Sequence, residues 1–224
     1  MGGAIGEVLP LAVAVALSPV PIIAVILILG TPRGRVIGPA FAVGWVGGLT
    51  AVSVLVSLVG DGAEASQGGP ATWVSVLKLA FGGLFLLLCV RTWRGRPRAG
   101  QEAPVPTWMQ AIDTFTPGKA VAFGALLSSV NPKNLALTVA AATTVAAAGL
   151  SAGAAAGALV VFIILGSLSI LVPVVASLTL GEGAASALDT VKTWLSAHNA
   201  PIMLVIFLVL GVKLLGDGIA GLST

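Results

Sequence analysis

Apolar residues run along this chain in six long blocks separated by short polar ones, at about 8–30, 36–59, 71–91, 120–148, 154–180 and 197–216. A helix that crosses the hydrocarbon core of a bilayer needs roughly 20 apolar residues. Each block meets that length, so the pattern predicts six transmembrane helices. The third block ends at Arg91, the fourth opens after Lys119, and the sixth runs from Pro201 to Leu215 before Asp217. Two blocks are broken from within. Ser18-Pro19-Val20-Pro21 interrupts the first and Asn131-Pro132-Lys133-Asn134 the fourth. Proline has no N–H to give, so a break leaves backbone groups that lipid cannot satisfy. Such breaks persist only inside protein or beside a water-filled cavity, and one proline-broken segment in each half of a chain points to a transporter binding site.

Composition removes the soluble alternatives. The chain is 57% hydrophobic and 8% charged, against about 25% charged in a soluble domain, and its mean hydropathy is +1.09. It cannot cover a water-facing surface and reads as an all-α integral membrane protein. The net charge of +3 is small and its basic residues cluster in loops, so they report membrane orientation rather than nucleic-acid binding. The single cysteine, Cys89, excludes an internal disulfide or a CxxC pair and reads as a small buried hydrophobe. Glu7 and the lack of a basic region before the first block argue against a cleaved signal peptide.

The lysines and arginines give the expected orientation. Arg33 and Arg35 follow span one, Arg91, Arg94, Arg96, Arg98 and Lys119 follow span three, and Lys192 follows span five. The loop from Asp61 to Gly69 holds only acids, and the turn from Gly149 to Gly153 is uncharged. The positive-inside rule places the three basic loops in the cytoplasm and both termini outside a plasma membrane; Lys78 and Lys213 run slightly against it.

Three spans per half would enter the membrane in opposite senses, which is a 3+3 inverted-topology repeat. Leu17-Ser18-Pro19-Val20-Pro21 matches Leu127-Ser128-Ser129-Val130-Asn131-Pro132. Gly47-Gly48-Leu49-Thr50 matches Gly166-Ser167-Leu168-Ser169, and Trp73-Val74-Ser75 matches Trp194-Leu195-Ser196. The expected organisation is one membrane domain over 1–224, with a first repeat at about 5–91, a basic linker at about 92–118 and a second repeat at about 119–218. Trp108, Met109, Ile112 and Phe115, and again Leu188, Val191 and Leu195, have helical spacing. Each set reads either as a helix lying in the membrane surface or as a folded loop with apolar anchors. Arg91 to Gln101 and Pro104 to Pro106 read as a flexible linker.

Lys133 is the most informative charge. It lies 14 positions beyond Lys119, about 21 Å along a helix, too deep to snorkel easily to either surface. An ionisable residue at that depth is by default a functional candidate; the alternative is that it only caps carbonyls freed at the Pro132 break. Ser18, Ser128, Ser129, Asn131 and Asn134 surround the two breaks. With Lys133 and the partly positive helix N-termini they would favour a phosphate, sulfate or carboxylate; their alternative is hydrogen bonding between helices. Pro19, Pro21 and Pro132 would hold the breaks open. Pro39, Pro173, Gly44, Gly47 and Gly48 read as devices for bending and close helix packing.

Absences narrow the chemistry. Every Asp and Glu lies at a span end or in a loop, so no carboxylate proton relay is visible. The sole histidine, His198, has no metal-ligating company. No nucleophile–base pair or nucleotide motif appears. The expectation is a non-enzyme with no cofactor and no metal.

Two stretches carry a family resemblance. Ala16-Leu17-Ser18-Pro19-Val20-Pro21-Ile22 is the first. The second runs from Trp108-Met109 through Ala111-Ile112-Asp113 and Thr116-Pro117 to Ser128-Ser129-Val130-Asn131-Pro132-Lys133-Asn134-Leu135. Together they resemble the glycopeptidolipid- and sulfolipid-addressing proteins of actinobacterial envelopes, within the lysine-exporter superfamily of small six-helix exporters. The resemblance covers essentially the whole chain. The Asn-Pro-Lys motif alone is shared across several branches of that superfamily and selects no substrate; its combination with Ser-Pro-Val-Pro and the tryptophan-led basic loop is more specific. The resemblance implies export of a polar lipid, or part of one, to the envelope, alongside lipid-synthesis or export proteins.

The resulting expectation is an exporter of a polar, anionic lipid working by alternating access, with Lys133, Asn131, Asn134, Ser18, Ser128 and Ser129 as binding residues. The rivals are an exporter of small anionic or amino-acid-like solutes and a non-transporting scaffold for envelope-lipid synthesis. Membrane lipids are partners in every reading. Small homo-oligomers are common among short transporters, although no heptad or interface motif fixes one here.

Overall fold

A computed structural model describes residues 2–64, 72–95, 109 and 111–222. Apart from the short turn Ile112–Thr114, a 3₁₀ helix, the elements are α-helices: α1 Gly2–Ala16, α2 Pro19–Leu29, α3 Gly34–Glu64, α4 Thr72–Arg94, α5 Pro117–Ser129, α6 Pro132–Ala147, α7 Ala152–Leu180 and α8 Glu182–Leu222. The linker from Arg96 to Gln101, Pro104 to Pro106, Trp108, and the acidic loop beyond Glu64 lie outside the described residues.

The six-span expectation is corrected. Among the described residues four helices are long and apolar enough to cross a membrane, at 34–58, 74–94, 152–180 and 183–222, and a fifth span arises if α1 and α2, bent by 53° at their break, count as one. The expected fourth span, 120–148, is divided into α5 with 13 residues and α6 with 16. At 1.5 Å per residue these reach about 20 and 24 Å, each short of the roughly 30 Å hydrocarbon core. The expected surface helix around Leu188 and the sixth span are one helix of 41 residues. Nothing breaks helical spacing between Glu182 and Pro201, so the polar run Ser196-Ala197-His198-Asn199 is helix rather than a loop.

The 3+3 inverted repeat is not shown either. The compact units do not follow the two halves of the chain: one takes residues 1–55 with 104–197, the other 56–103 with 198–224. Short motif matches at corresponding positions did not carry a matched architecture with them.

In the first unit α1 packs most extensively on α7 and then on α6. Val8, Leu11, Ala12 and Val15 recur at helical spacing and are buried on that face. A Cβ at Gly166 of α7 would stand 3.2 Å from Val15 Cγ1, so a glycine there is what lets the two backbones approach. The α3–α5 crossing is closer still. A Cβ at Gly44 would overlap the Val121 carbonyl, one at Gly48 the Ser128 hydroxyl, and one at Gly124 the Phe41 carbonyl. Gly44 and Gly48, four apart, face Gly124 and Ser128, also four apart; this is small-residue packing between membrane helices. The packing role expected of Gly44 and Gly48 is met, whereas Gly47 points into open space.

The second unit pairs α4 with the last part of α8. Ser75, Leu79, Gly82 and Leu86 meet Gly211, Leu215, Gly218 and Gly221 in antiparallel order. The spacing on both helices is of threes and fours, the interval of one helix face. Phe85 and Phe207 pack with ring centroids 5.8 Å apart. Cys89 is half-buried rather than fully buried, and its thiol donates to the Leu204 carbonyl at 3.7 Å. Leu87, Val209 and Val212 are exposed, as the lipid-facing side of a membrane helix requires.

Candidate functional site

The site begins as a problem in backbone hydrogen bonding. In a helix the N–H of each residue serves the carbonyl four positions earlier. Pro19 and Pro21 have no N–H, so the carbonyls of Val15 and Leu17 lose their partners. The Ser18 N–H turns instead to the Ala16 carbonyl at 2.9 Å, which leaves the Ala14 carbonyl vacant too. Three carbonyls at the C-terminal end of α1 therefore need donors from elsewhere.

Side chains supply them. The Ser18 hydroxyl donates to Val15 O at 2.6 Å. Lys133 Nζ, from the start of α6, donates to Ala14 O at 2.6 Å and to Leu17 O at 3.3 Å. Lys133 thus caps carbonyls freed at the first break rather than at its own. The end of α1 is also the negative end of a helix dipole, which suits a cation.

The second break is tied back in the same way. Pro132 cannot serve the Ser128 carbonyl, and Val130 N–H closes on Leu126 O at 2.9 Å. The Asn134 side chain donates from Nδ2 to Leu127 O at 3.0 Å, while its Oδ1 lies 3.0 Å from the Ser18 hydroxyl. The first contact fixes which way the amide points. Each break therefore supplies a group to the other. Asn131 caps α6, its Oδ1 accepting from the Lys133 N–H at 3.0 Å. Ser18, Lys133 and Asn134 are 2%, 3% and 0% exposed, so this clasp is closed to solvent.

The expected site residues divide into two sets. Ser18 and Asn134 meet directly and Lys133 reaches the carbonyls of Ala14 and Leu17 at the same break, with Asn131 shaping the turn beside them. Ser128 and Ser129 instead turn back along α5, both donating to Ala125 O, at 3.0 and 2.6 Å. Pro19 and Pro21 are buried at the start of α2 and Pro132 is exposed at the start of α6; the prolines at 19 and 21 reduce the donors that α2 offers at its N-terminus. Sequence reasoning missed Thr138, which is buried and donates to Asn134 O at 2.8 Å. It also missed Trp45 and Ser167, whose Nε1 and Oγ are buried with no hydrogen-bond partner among the described residues. A serine or tryptophan inside an apolar run was the available signal.

Asn134 supports the clasp from both sides, so its loss is expected to be felt. Asn134→Ala would orphan Leu127 O and remove the acceptor beside Ser18. An unsatisfied buried group costs about 1–3 kcal/mol, and the expected result is a thermal midpoint several degrees lower for the purified protein. An unchanged midpoint would show that water replaces the amide.

An ammonium has three donors; two of those on Lys133 are held by carbonyls. Among the described residues no carboxylate pairs with it, and no group of three or more metal-ligating side chains occurs. The arrangement can exchange hydrogen-bond partners around a cation.

Residues 8–220 match the family model described as SfLAP: Sap, sulfolipid-1-addressing protein. No curated protein and no solved structure matches the chain.

Proposed function

Because the chain belongs to the sulfolipid-1-addressing protein family, we propose that it moves a polar, anionic lipid or its precursor across the plasma membrane toward the envelope, using the Lys133 clasp as the head-group site. The observation that carries this reading is a buried lysine held by two backbone carbonyls and, among the described residues, by no carboxylate. An anionic head group is a stronger partner for an ammonium than a neutral carbonyl, because the acceptor then carries a full opposite charge and adds Coulomb attraction to the hydrogen bond. Entering lipid would draw Lys133 away from Ala14 and Leu17, parting the two breaks; leaving lipid would let the carbonyls take it back. Ser18 and Asn134 would turn from one another to the head group in the same step.

The family supports lipid addressing, and the fold supports a multi-pass membrane protein. The wider kinship with lysine exporters rests on the Asn131-Pro132-Lys133 motif. The test is a deletion strain complemented with the wild-type chain, in which surface-exposed and total envelope lipids are compared. The expected result is one polar lipid that is made normally, fails to reach the surface in the deletion, and returns on complementation. Unchanged envelope lipids with a metabolite accumulating in the cytoplasm would replace this reading with small-solute export.

A further inference from the structure

Within the same unit, the far end of α2 opens on a separate cavity. It has a volume of about 670 Å³ and lies where α2 ends, α3 begins and α7 turns into α8. That turn is made at Gly181, whose φ of +56° favours glycine. Leu27, Leu29 and Leu188 give the cavity an apolar wall, and Arg35, Asp113 and Lys192 its charges. Arg35 at the start of α3, Asp113 in the 3₁₀ turn and Lys192 in α8 thus come together at one end of this unit. The volume is that of a small-molecule site, for which about 300–1,000 Å³ is usual.

The charges select a ligand by what remains unpaired. Lys192 is held by Asp189 at 2.5 Å, which also lines the cavity. Arg35 donates from Nη2 to Leu178 O at 3.0 Å, one of the five donors a guanidinium carries. No ion pair joins Arg35 to Asp113 among the described residues. A bare anion would suit Arg35 and be opposed by Asp113; a bare cation would meet the reverse. A head group that carries an anion together with hydroxyl or ammonium donors satisfies both, and the leucine wall takes the first methylenes of its chain.

We propose that this cavity is a second binding site, for the head of an amphiphilic lipid bearing an anion together with hydrogen-bond donors, and that it receives the lipid before the clasp does. The order rests on the export reading above; the binding does not. The two sites are joined by α2, whose 11 residues span about 16 Å, so a lipid head at one end lies one short helix from Lys133.

The experiment uses the purified full chain in detergent and lysophosphatidylglycerol carrying a diazirine close to its glycerol. This probe combines a phosphate with hydroxyl donors. Adducts mapped by mass spectrometry are expected on residues 26–31 and 185–188. Arg35→Ala and Asp113→Asn should each lower the yield there about tenfold, the scale of losing one charge-assisted hydrogen bond. Leu188→Trp, which fills the cavity without touching a charge, should abolish it, and Arg35→Lys should retain part of it. A fatty acid with the same photolabel, an anion lacking those donors, should label these segments poorly. Lys133→Ala should label them as the wild type does. Equal labelling of wild type, Arg35→Ala and Leu188→Trp would overturn the site, as would adducts confined to residues 128–134. Labelling as expected in a wild-type chain that restores no surface lipid to the deletion strain would uphold the site and overturn the order.

Discussion

Lys133→Ala is expected to abolish delivery of the lipid to the surface while leaving folded protein in the membrane. The magnitudes decide between those two effects. The substitution orphans Ala14 O and Leu17 O, the acceptors at 2.6 and 3.3 Å. Hydrogen bonds between membrane helices are worth about 0.6–2 kcal/mol each. The same substitution removes a buried cation that no carboxylate among the described residues pairs with, itself an unfavourable group to bury. The two terms oppose one another, so the net loss is on the order of 1–3 kcal/mol, within the roughly 5–15 kcal/mol of a typical fold. Function has no such offset, because alanine leaves no charge to attract a head group. Surface lipid in the complemented deletion strain should fall at least tenfold, with Lys133→Arg retaining part of the activity. Normal delivery by Lys133→Ala would remove the lysine from the site. Its disappearance from the membrane, with Lys133→Arg restored in amount but still inactive, would make the residue a structural cap.

Gly124→Leu is expected to do the opposite, removing the protein rather than its activity. A side chain at position 124 runs into the backbone of α3 at Phe41 and Trp45, and backbone cannot swing aside as a side-chain tip does. Overpacking costs about 1–3 kcal/mol, occasionally more, and a backbone overlap belongs at the top of that range. Gly48→Leu meets the Ser128 hydroxyl and the Ala125 backbone and should behave alike. A loss of that size is enough to lower steady-state abundance several-fold. Gly47→Leu is the control: it lies on the same helix, one position from Gly48, with nothing within 4 Å. The amount of folded protein should stay within about twofold of wild type, as for a surface change within ±0.5 kcal/mol. Equal amounts for the variants at 47, 48 and 124 would mean that the α3–α5 crossing is not close-packed in the membrane.

Much of the site could be read from the chain because proline writes its consequences plainly. Two prolines inside one apolar block and a third inside another marked both breaks, and Lys133 beside the third marked the charge. What was not legible was the pairing. Prolines at 19 and 21 orphan the carbonyls at 15 and 17, but no local rule says that a lysine from the second break reaches across to the first. Ser128 and Ser129 looked equivalent to Ser18 in sequence; all three hydroxyls turn back to a carbonyl three or four residues earlier, but Ser18 also stands against Asn134 Oδ1 of the other break. The spans failed for a related reason. An apolar block reports that residues avoid water, not that one helix runs through them, so 120–148 became two short helices. The run before Pro201 was polar enough to resemble a loop, although nothing in it breaks a helix.

The clasp also imposes an order in time. Ala14 and Leu17 are made 119 and 116 residues before the lysine that caps them. At a synthesis rate of about 5–20 residues per second, the first two helices wait roughly 6 to 23 seconds for their partner. During that interval, water or the insertion machinery must meet the vacant carbonyls of Ala14 and Leu17. The first bent helix pair is therefore an unfinished piece when it leaves the ribosome, and a nascent chain halted before residue 133 should hold it in a wetter environment than the completed protein does.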